Sequence, residues 1–274
     1  MSDWLIAIIL GCVEGITEYL PISSTGHLIL FGELLDFTGD NAKTFDVVIQ
    51  LGAILSVLVL YRDRFVGFFK GSLEALRNPG LCLESGLQGG AGIVKLALVS
   101  APALLVGLVF RRHIKEHLFA PLPVAGALAL GALLMLVVDR PASNRRGQSI
   151  EDLTCRQSLL IGCVQCLALW PGMSRSASAI IGGMLVGLSR PAAAEFSFIA
   201  AVPLLGAAAA HDLLGALQVF TAGELSAVAV GFMVSFVTAV GAMRWFIEIV
   251  SRWSLRPFAY YRLVVAAIVV ALSW

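Results

Sequence analysis

Four of the apolar segments in this chain are too short to cross a bilayer, and they come in two pairs, each broken by a polar kink. Segments 4–19 and 26–37 flank Pro21-Ile22-Ser23-Ser24-Thr25-Gly26, and segments 157–169 and 176–188 flank Pro171-Gly172-Met173-Ser174-Arg175-Ser176. A spanning helix needs about 20 apolar residues. Half-length helices joined by Pro, Gly and Ser therefore read as re-entrant hairpins, whose interrupted backbone must be buried in protein or line a wet cavity. Six other apolar stretches, at 45–61, 91–110, 119–138, 191–210, 224–246 and 257–273, are long enough to span. The expected fold is an all-α integral membrane protein with two re-entrant hairpins and six transmembrane helices. Composition agrees, with 58% hydrophobic and 14% charged residues and a mean hydropathy of +0.89. A soluble domain carries about 25% charged residues.

The two hairpin regions resemble each other. Gly11-Cys12-Val13-Glu14 recurs as Gly162-Cys163-Val164-Gln165, Pro21 precedes Ser24 as Pro171 precedes Ser174, and Ala42-Lys43-Thr44-Phe45 aligns with Ala193-Ala194-Glu195-Phe196. The offset is ~151, give or take one residue. One domain, 1–274, is expected, built from repeats 4–139 and 156–274. One hairpin and three spans per repeat make an odd number of crossings, so the second copy is inverted and the broken helices meet near the midplane. Arg62, Arg64, Lys70, Arg77, Arg140, Arg145, Arg146, Arg156, Arg190, Arg244, Arg252 and Arg256 would share one side, and Lys43, Arg111, Arg112 and Lys115 the other. The positive-inside rule places the first set in the cytoplasm, with both termini outside. The segment from Arg62 to Gly90 reads as the largest cytoplasmic loop.

The first hairpin carries Glu14 and Glu18, four residues apart and so on one helix face. Two carboxylates in an apolar intramembrane segment are costly, by about 2.5–3.5 kcal/mol each, and they repel. A divalent cation, Mg²⁺ or Ca²⁺, resolves both penalties, and Mg²⁺ takes one or two carboxylates plus substrate phosphate oxygens. Ser23, Ser24 and Thr25 open the next helix, where hydroxyls and free N–H groups form a phosphate cradle. Gly26 permits close backbone approach. His27 stands beside the cradle as a candidate acid or base. In the second hairpin, Arg175 is a permanent cation with a planar fork suited to phosphate, flanked by Ser174 and Ser176. Gln165 holds the slot corresponding to Glu14 without the charge.

Other polar groups read more plainly. His113 and His117 lie i, i+4 in a basic external loop. Cys163 and Cys166 have CxxC spacing but apolar flanks and no second pair, which argues for packing. His211-Asp212 caps a turn. Glu195 either pairs with Arg190 or faces the cavity. A net charge of +1 gives no field for nucleic acid.

Glu14-xxx-Glu18, Leu20-Pro21-x-Ser23-Ser24-Thr25-Gly26-His27, Lys43-Thr44-Phe45 with Gln50-Leu51-Gly52, and Pro171-Gly172-x-Ser174-Arg175-Ser176 together resemble the undecaprenyl-diphosphate phosphatase family of the bacitracin-resistance type, over nearly the whole chain. The resemblance implies hydrolysis of undecaprenyl diphosphate to the monophosphate and inorganic phosphate, which recycles the lipid carrier for peptidoglycan and confers bacitracin resistance when overproduced. It also implies a divalent metal and a periplasm-facing site in a bacterial inner membrane. Its roles, carried over, give metal binding to Glu14 and Glu18, a nucleophile or phosphate ligand at Ser24, and proton transfer to His27. Ser23 and Thr25 would support the cradle, while Arg175, Ser174 and Ser176 would clamp the diphosphate. Ala177-Ser178-Ala179 departs from the family's usual Gly-Ala-Thr, with Ser178 supplying a nearby hydroxyl. A secondary transporter or lipid flippase is the alternative, since broken inverted repeats recur in transporters. A histidine-nucleophile phosphatase fits less well, because no histidine follows Ser174-Arg175 before His211. A polyprenyl diphosphate and bilayer lipid are the expected partners, and oligomeric state, a homodimer included, stays open.

Overall fold

The computed structural model describes residues 2–75, 86–139, 147–216 and 222–272. Arg77, Arg140, Arg145 and Arg146 lie outside them, as do the side chains of Lys115, His211 and Asp212. Among the described residues regular structure is helical, and the β-type pairing is an isolated bridge between Gln148 and Leu188.

The first hairpin is α1 (Asp3–Thr17) and α2 (Ser24–Leu34). At 1.5 Å per residue these 15- and 11-residue helices reach only about 22 and 16 Å, short of a hydrocarbon core of about 30 Å. The long helices α3 (Asp40–Leu60), α5 (Gly89–His117) and α6 (Pro121–Val138) follow, with α4 (Arg62–Ala75) between the first two. Helix α4 corrects the expectation of a plain loop from Arg62: its apolar face seats Phe68 in the core beside Gly92 of α5. The second hairpin is α7 (Cys155–Gln165), a 3₁₀ turn (Cys166–Leu169) and α8 (Arg175–Leu185). Helices α9 (Arg190–Ala216), α10 (Ala222–Arg252) and α11 (Arg256–Leu272) complete the chain. Among the described residues, five helices are long and apolar enough to cross a membrane: α3, α5, α6, α9 and α10. The sixth expected span coincides with α11, whose 17 described residues fall just short of the 18 in α6.

Both hairpins end inside the protein. Tyr19, Leu20 and Ile22 at the first tip and Met173 at the second are buried, so the interrupted backbone meets protein rather than lipid. Small residues let the hairpins dock. A Cβ at Gly11 would fall 2.6 Å from the Gly231 carbonyl of α10, and one at Gly162 would fall 2.7 Å from the Val99 carbonyl of α5. Glycine at these two matched positions is therefore a packing requirement: α1 lies on α10, and α7 on α5.

One end of the bundle is held by polar links. Arg64 of α4 bonds Glu151 at 2.7 Å and Glu195 at 3.4 Å, and Gly86 N–H donates to Leu153 O at 3.0 Å. The starts of α5, α7 and α9 thus lie together. Glu195 takes Arg64, neither pairing with Arg190 nor lining the cavity described below, because Arg190 is held by Asp139.

Candidate active site

Each hairpin's second helix starts on a serine in the left-handed region. Ser23 has φ 75° and its side chain accepts from Gly26 N–H at 3.3 Å, while Ser174 has φ 73° and accepts from Ala177 N–H at 3.2 Å. A non-glycine residue with positive φ is uncommon, and here the cap bond and the buried tip hold it. Measured by this cap, Ser174 stands opposite Ser23 rather than Ser24, so the Pro-x-x-Ser spacing misaligns the two tips by one residue. Ser24 then matches Arg175, each the first residue of its helix.

Those two residues converge on Glu18. Ser24 Oγ donates to Glu18 Oε2 at 2.5 Å, and Arg175 Nη2 donates to Glu18 Oε1 at 2.9 Å. The arginine also donates through Nη1 to Ser197 O at 2.8 Å and Ser197 Oγ at 3.2 Å, and its guanidinium lies 5.6 Å from the centre of the Tyr19 ring. A planar fork on carboxylate, carbonyl and ring has little freedom to swing. The Glu18–Arg175 pair is almost fully buried, 4% and 8% exposed, where an ion pair is screened far less than at a surface. Ser176 does not face the same space: its hydroxyl donates to Leu20 O at 2.7 Å and is 3.0 Å from Ser174 Oγ, locking tip to tip.

A cavity of about 420 Å³ opens at this junction. Glu18, Ser23, Ser24, Thr25, Ser174 and Arg175 line its polar end. Leu104 and Leu108 of α5 and Leu204 and Leu205 of α9 supply an apolar wall. Glu14, Gly26, His27 and Ser176 are outside this lining. Glu14 is fully buried, and neither carboxylate oxygen has a hydrogen-bond partner. Burying such a group uncompensated costs several kcal/mol, and the two bare oxygens of Glu14 suit a divalent cation, whereas both oxygens of Glu18 are already engaged by Ser24 and Arg175. No cluster of three or more His, Cys, Asp or Glu ligands occurs among the described residues. A Mg²⁺ ion that keeps waters and substrate oxygens does not need one. His27 places Nδ1 2.7 Å from Ser23 O and Nε2 2.8 Å from Tyr261 Oη, and its ring stacks on Tyr261. Both nitrogens are engaged away from the cavity, and the imidazole holds the strained Ser23 peptide.

Several contributors escaped the sequence reading. Arg262 of α11, fully buried, donates to Leu128 O, Pro21 O, Ala127 O, Gly172 O and Met173 O at 2.9–3.3 Å. It ties both tips to α6, and nothing in its local sequence predicts that. Gln50 and Arg111 also line the cavity, Gln50 from a motif that carried the family resemblance. Gln165 lines it too, with its Nε2 donating to Val99 O at 3.0 Å. His113 and His117 lie not in a loop but on the exposed C-terminal end of α5, where their rings stack on each other, and Cys163 and Cys166 are free thiols.

Comparison with known proteins agrees over the full length. Residues 7–268 match the family described as "Bacitracin resistance protein BacA". A protein of Nitratidesulfovibrio vulgaris named undecaprenyl-diphosphatase is 52% identical over 269 residues, 98% of each chain. Proteins of the same name from Desulfovibrio desulfuricans and Oleidesulfovibrio alaskensis are 50% identical over 98% of each chain and 47% identical over 100% of each chain.

Proposed function

The chain belongs to the bacitracin resistance protein BacA family, and from that premise we propose that it hydrolyses undecaprenyl diphosphate to undecaprenyl phosphate and inorganic phosphate. The relatives' name supplies the substrate. The observation that carries the chemistry is the convergence of Ser24 and Arg175 on Glu18 at the polar end of a cavity with an apolar wall. The transporter alternative finds no support in the comparisons.

A nucleophile and its base within hydrogen-bond reach are the signature of covalent catalysis. Ser24 Oγ forms a bond to the terminal phosphorus and passes its proton to Glu18. The bond from that phosphorus to the bridging oxygen breaks, and undecaprenyl phosphate leaves. Water then attacks the phosphorus of the phosphoserine, the bond from that phosphorus to Oγ breaks as Glu18 returns its proton to Ser24, and inorganic phosphate leaves carrying both protons of the water. Arg175, its fork held in place between Glu18 and Ser197, presents its charge to the phosphoryl oxygens at the polar end of the cavity, where electrostatic stabilisation supplies most of the catalysis. N–H groups at the start of α2, with Thr25 and Ser174, orient the same oxygens. Ser176 and Gly26 act behind them, the first by locking the tips and the second by donating to the Ser23 cap. His27 positions Ser23 in this conformation and relays a proton only after leaving Ser23 O or Tyr261. A divalent cation, when held by Glu14, would neutralise diphosphate charge. The aliphatic wall between α5 and α9 receives the first isoprene units.

The inverted repeat is part of the same reading. Its support is the pair of matched serine caps and the pair of matched glycines, which dock α1 on α10 and α7 on α5. The side bearing Arg62, Arg64, Lys70, Arg190, Arg252 and Arg256 would be cytoplasmic, and the cavity, lined by Arg111 near the far end of α5, would open to the periplasm of an inner membrane.

Rapid-quench turnover of terminally labelled diphosphate tests the mechanism. One label per active protein on Ser24 within the first turnover is the expected result. Ser24→Ala should lose both the burst and steady phosphate release. Steady turnover by Ser24→Ala would remove the covalent route and leave water as the nucleophile.

A further inference from the structure

A second cavity, of about 560 Å³, lies at the end of the bundle where α9 begins, between that helix, the end of α10 and the turn into α11. It is far from the active-site mouth: α5 starts at this same end and carries Arg111 near its other terminus. Arg190, Arg252 and Arg256, each from a different helix, line its wall. Asp139 is the acid in that wall, fully buried, and both its oxygens are committed. Oδ1 holds Arg190 Nε at 2.5 Å and Oδ2 accepts from Leu255 N–H at 2.6 Å. The α10–α11 turn is therefore pinned by a buried carboxylate, and the recess it forms is a built feature of the fold. Ser254 Oγ accepts from Arg256 N–H at 3.4 Å at the start of α11.

Among the described residues that line the recess, three arginines accompany one carboxylate, which holds Arg190. Glu248 pairs with Arg252 at 3.1 Å with both side chains more than 60% exposed, an exchangeable surface contact. Trp253 stands on the rim, 69% exposed, and an amphipathic indole at that position suits the headgroup level of a bilayer. The positive-inside rule accounts for basic residues at this end of the molecule. It does not account for three of them converging from three helices on one walled recess beside an exposed tryptophan. Basic recesses between transmembrane helices near the interface recognise phosphate-bearing headgroups, and guanidinium forks match phosphate oxygens.

We propose that this recess binds the headgroup phosphate of an anionic glycerophospholipid from the leaflet on that side, apart from the catalytic cavity and independent of the hydrolysis assigned to it. The lipid would pin the ends of α10 and α11, and so the helix that carries Arg262, against the bilayer. The test uses the full chain, stripped of lipid in a neutral detergent at low salt and titrated with phosphatidylglycerol, phosphatidylcholine or inorganic phosphate, with binding read by native mass spectrometry. Wild type should take up phosphatidylglycerol in preference to both others, and the Arg252→Gln/Arg256→Gln double variant should bind it about thirtyfold more weakly, with an unchanged melting transition. Equal binding by variant and wild type, or uptake of phosphatidylcholine as strong as that of phosphatidylglycerol, would overturn the proposal. Competition by inorganic phosphate at matched concentration would overturn the lipid and leave a free anion as the ligand. Should the double variant fail to fold, the single Arg252→Gln, at an exposed position, decides: about fivefold weaker binding supports the site and undiminished binding refutes it.

Discussion

Arg262→Met should uncouple the two hairpin tips. Methionine keeps an unbranched apolar stem but stops short of the guanidinium and donates nothing, so five carbonyls from Pro21, Ala127, Leu128, Gly172 and Met173 lose a buried donor. Side-chain hydrogen bonds inside membrane proteins average about 0.6 kcal/mol, and in general reach about 1.5 kcal/mol. Five of them therefore sum to roughly 3–7 kcal/mol, a large share of the ~5–15 kcal/mol that holds a typical native state. A melting transition in detergent should fall by roughly 10 °C or more. Because two of the lost contacts fix Gly172 and Met173 beside Ser174, and one fixes Pro21 beside Ser23, turnover should fall about hundredfold, the cost of small misplacement of catalytic groups. Gly131→Ala supplies the cross-check. Its new Cβ would meet Arg262 Nη2 and lie 2.7 Å from Cζ, and the guanidinium, held by five carbonyls, cannot step aside. Alone it should resemble Arg262→Met in melting and phosphate release. Added to Arg262→Met it should cost little, a strongly non-additive cycle. An Arg262→Met protein that melts within about 2 °C of wild type with full turnover, or a cycle that is additive, would refute the bracing role.

Three further outcomes are expected. Arg175→Lys places a point charge where a fork now spans Glu18 and Ser197, and phosphate release should drop by roughly 10²–10³ with little change in melting; activity within tenfold of wild type would count against the clamp. Chelation should abolish turnover and added Mg²⁺ or Ca²⁺ restore it, while Glu14→Gln, keeping the shape and losing the charge, should raise the metal concentration for half activity by about tenfold or more; an unshifted metal titration would remove Glu14 from the ligand set. Gly107→Leu on the cavity wall, where even a Cβ lies 3.2 Å from Leu169, should raise KM for a C₅₅ diphosphate more than for a C₁₅ one, and an equal effect on both would place the prenyl chain elsewhere.

The helical, membrane-embedded character of the chain was legible because it rests on segment length and hydropathy, which are local quantities. So were the breaks in both hairpins: Pro21 and Pro171 interrupt apolar runs too short to span, and the serines beside them are natural caps. Glu14 and Glu18 could be placed on one face from their spacing, yet only Glu18 lines the cavity, and that depends on what packs over the other. His27, beside the cradle in sequence, turns toward Tyr261, 234 residues away. Helix α4 was hidden because a charged, weakly apolar segment reads as loop until Phe68 has a core to enter. Arg262 was hidden for a related reason. It sits in a stretch that reads as an ordinary apolar span, and its distant acceptors are up to 241 residues away.

The order of apolar and polar residues along this chain determined which segments are helical, where two of them break, and which acids, hydroxyls and arginine sit at the breaks, because propensity, capping and hydropathy act over a few neighbouring residues. Which of those groups touch was decided only when the tips docked. The partners of Glu18 lie 6 and 157 residues away, and the brace across both tips comes from α11. Contacts of that kind follow from the packing of whole helices, a property that no single stretch of sequence carries.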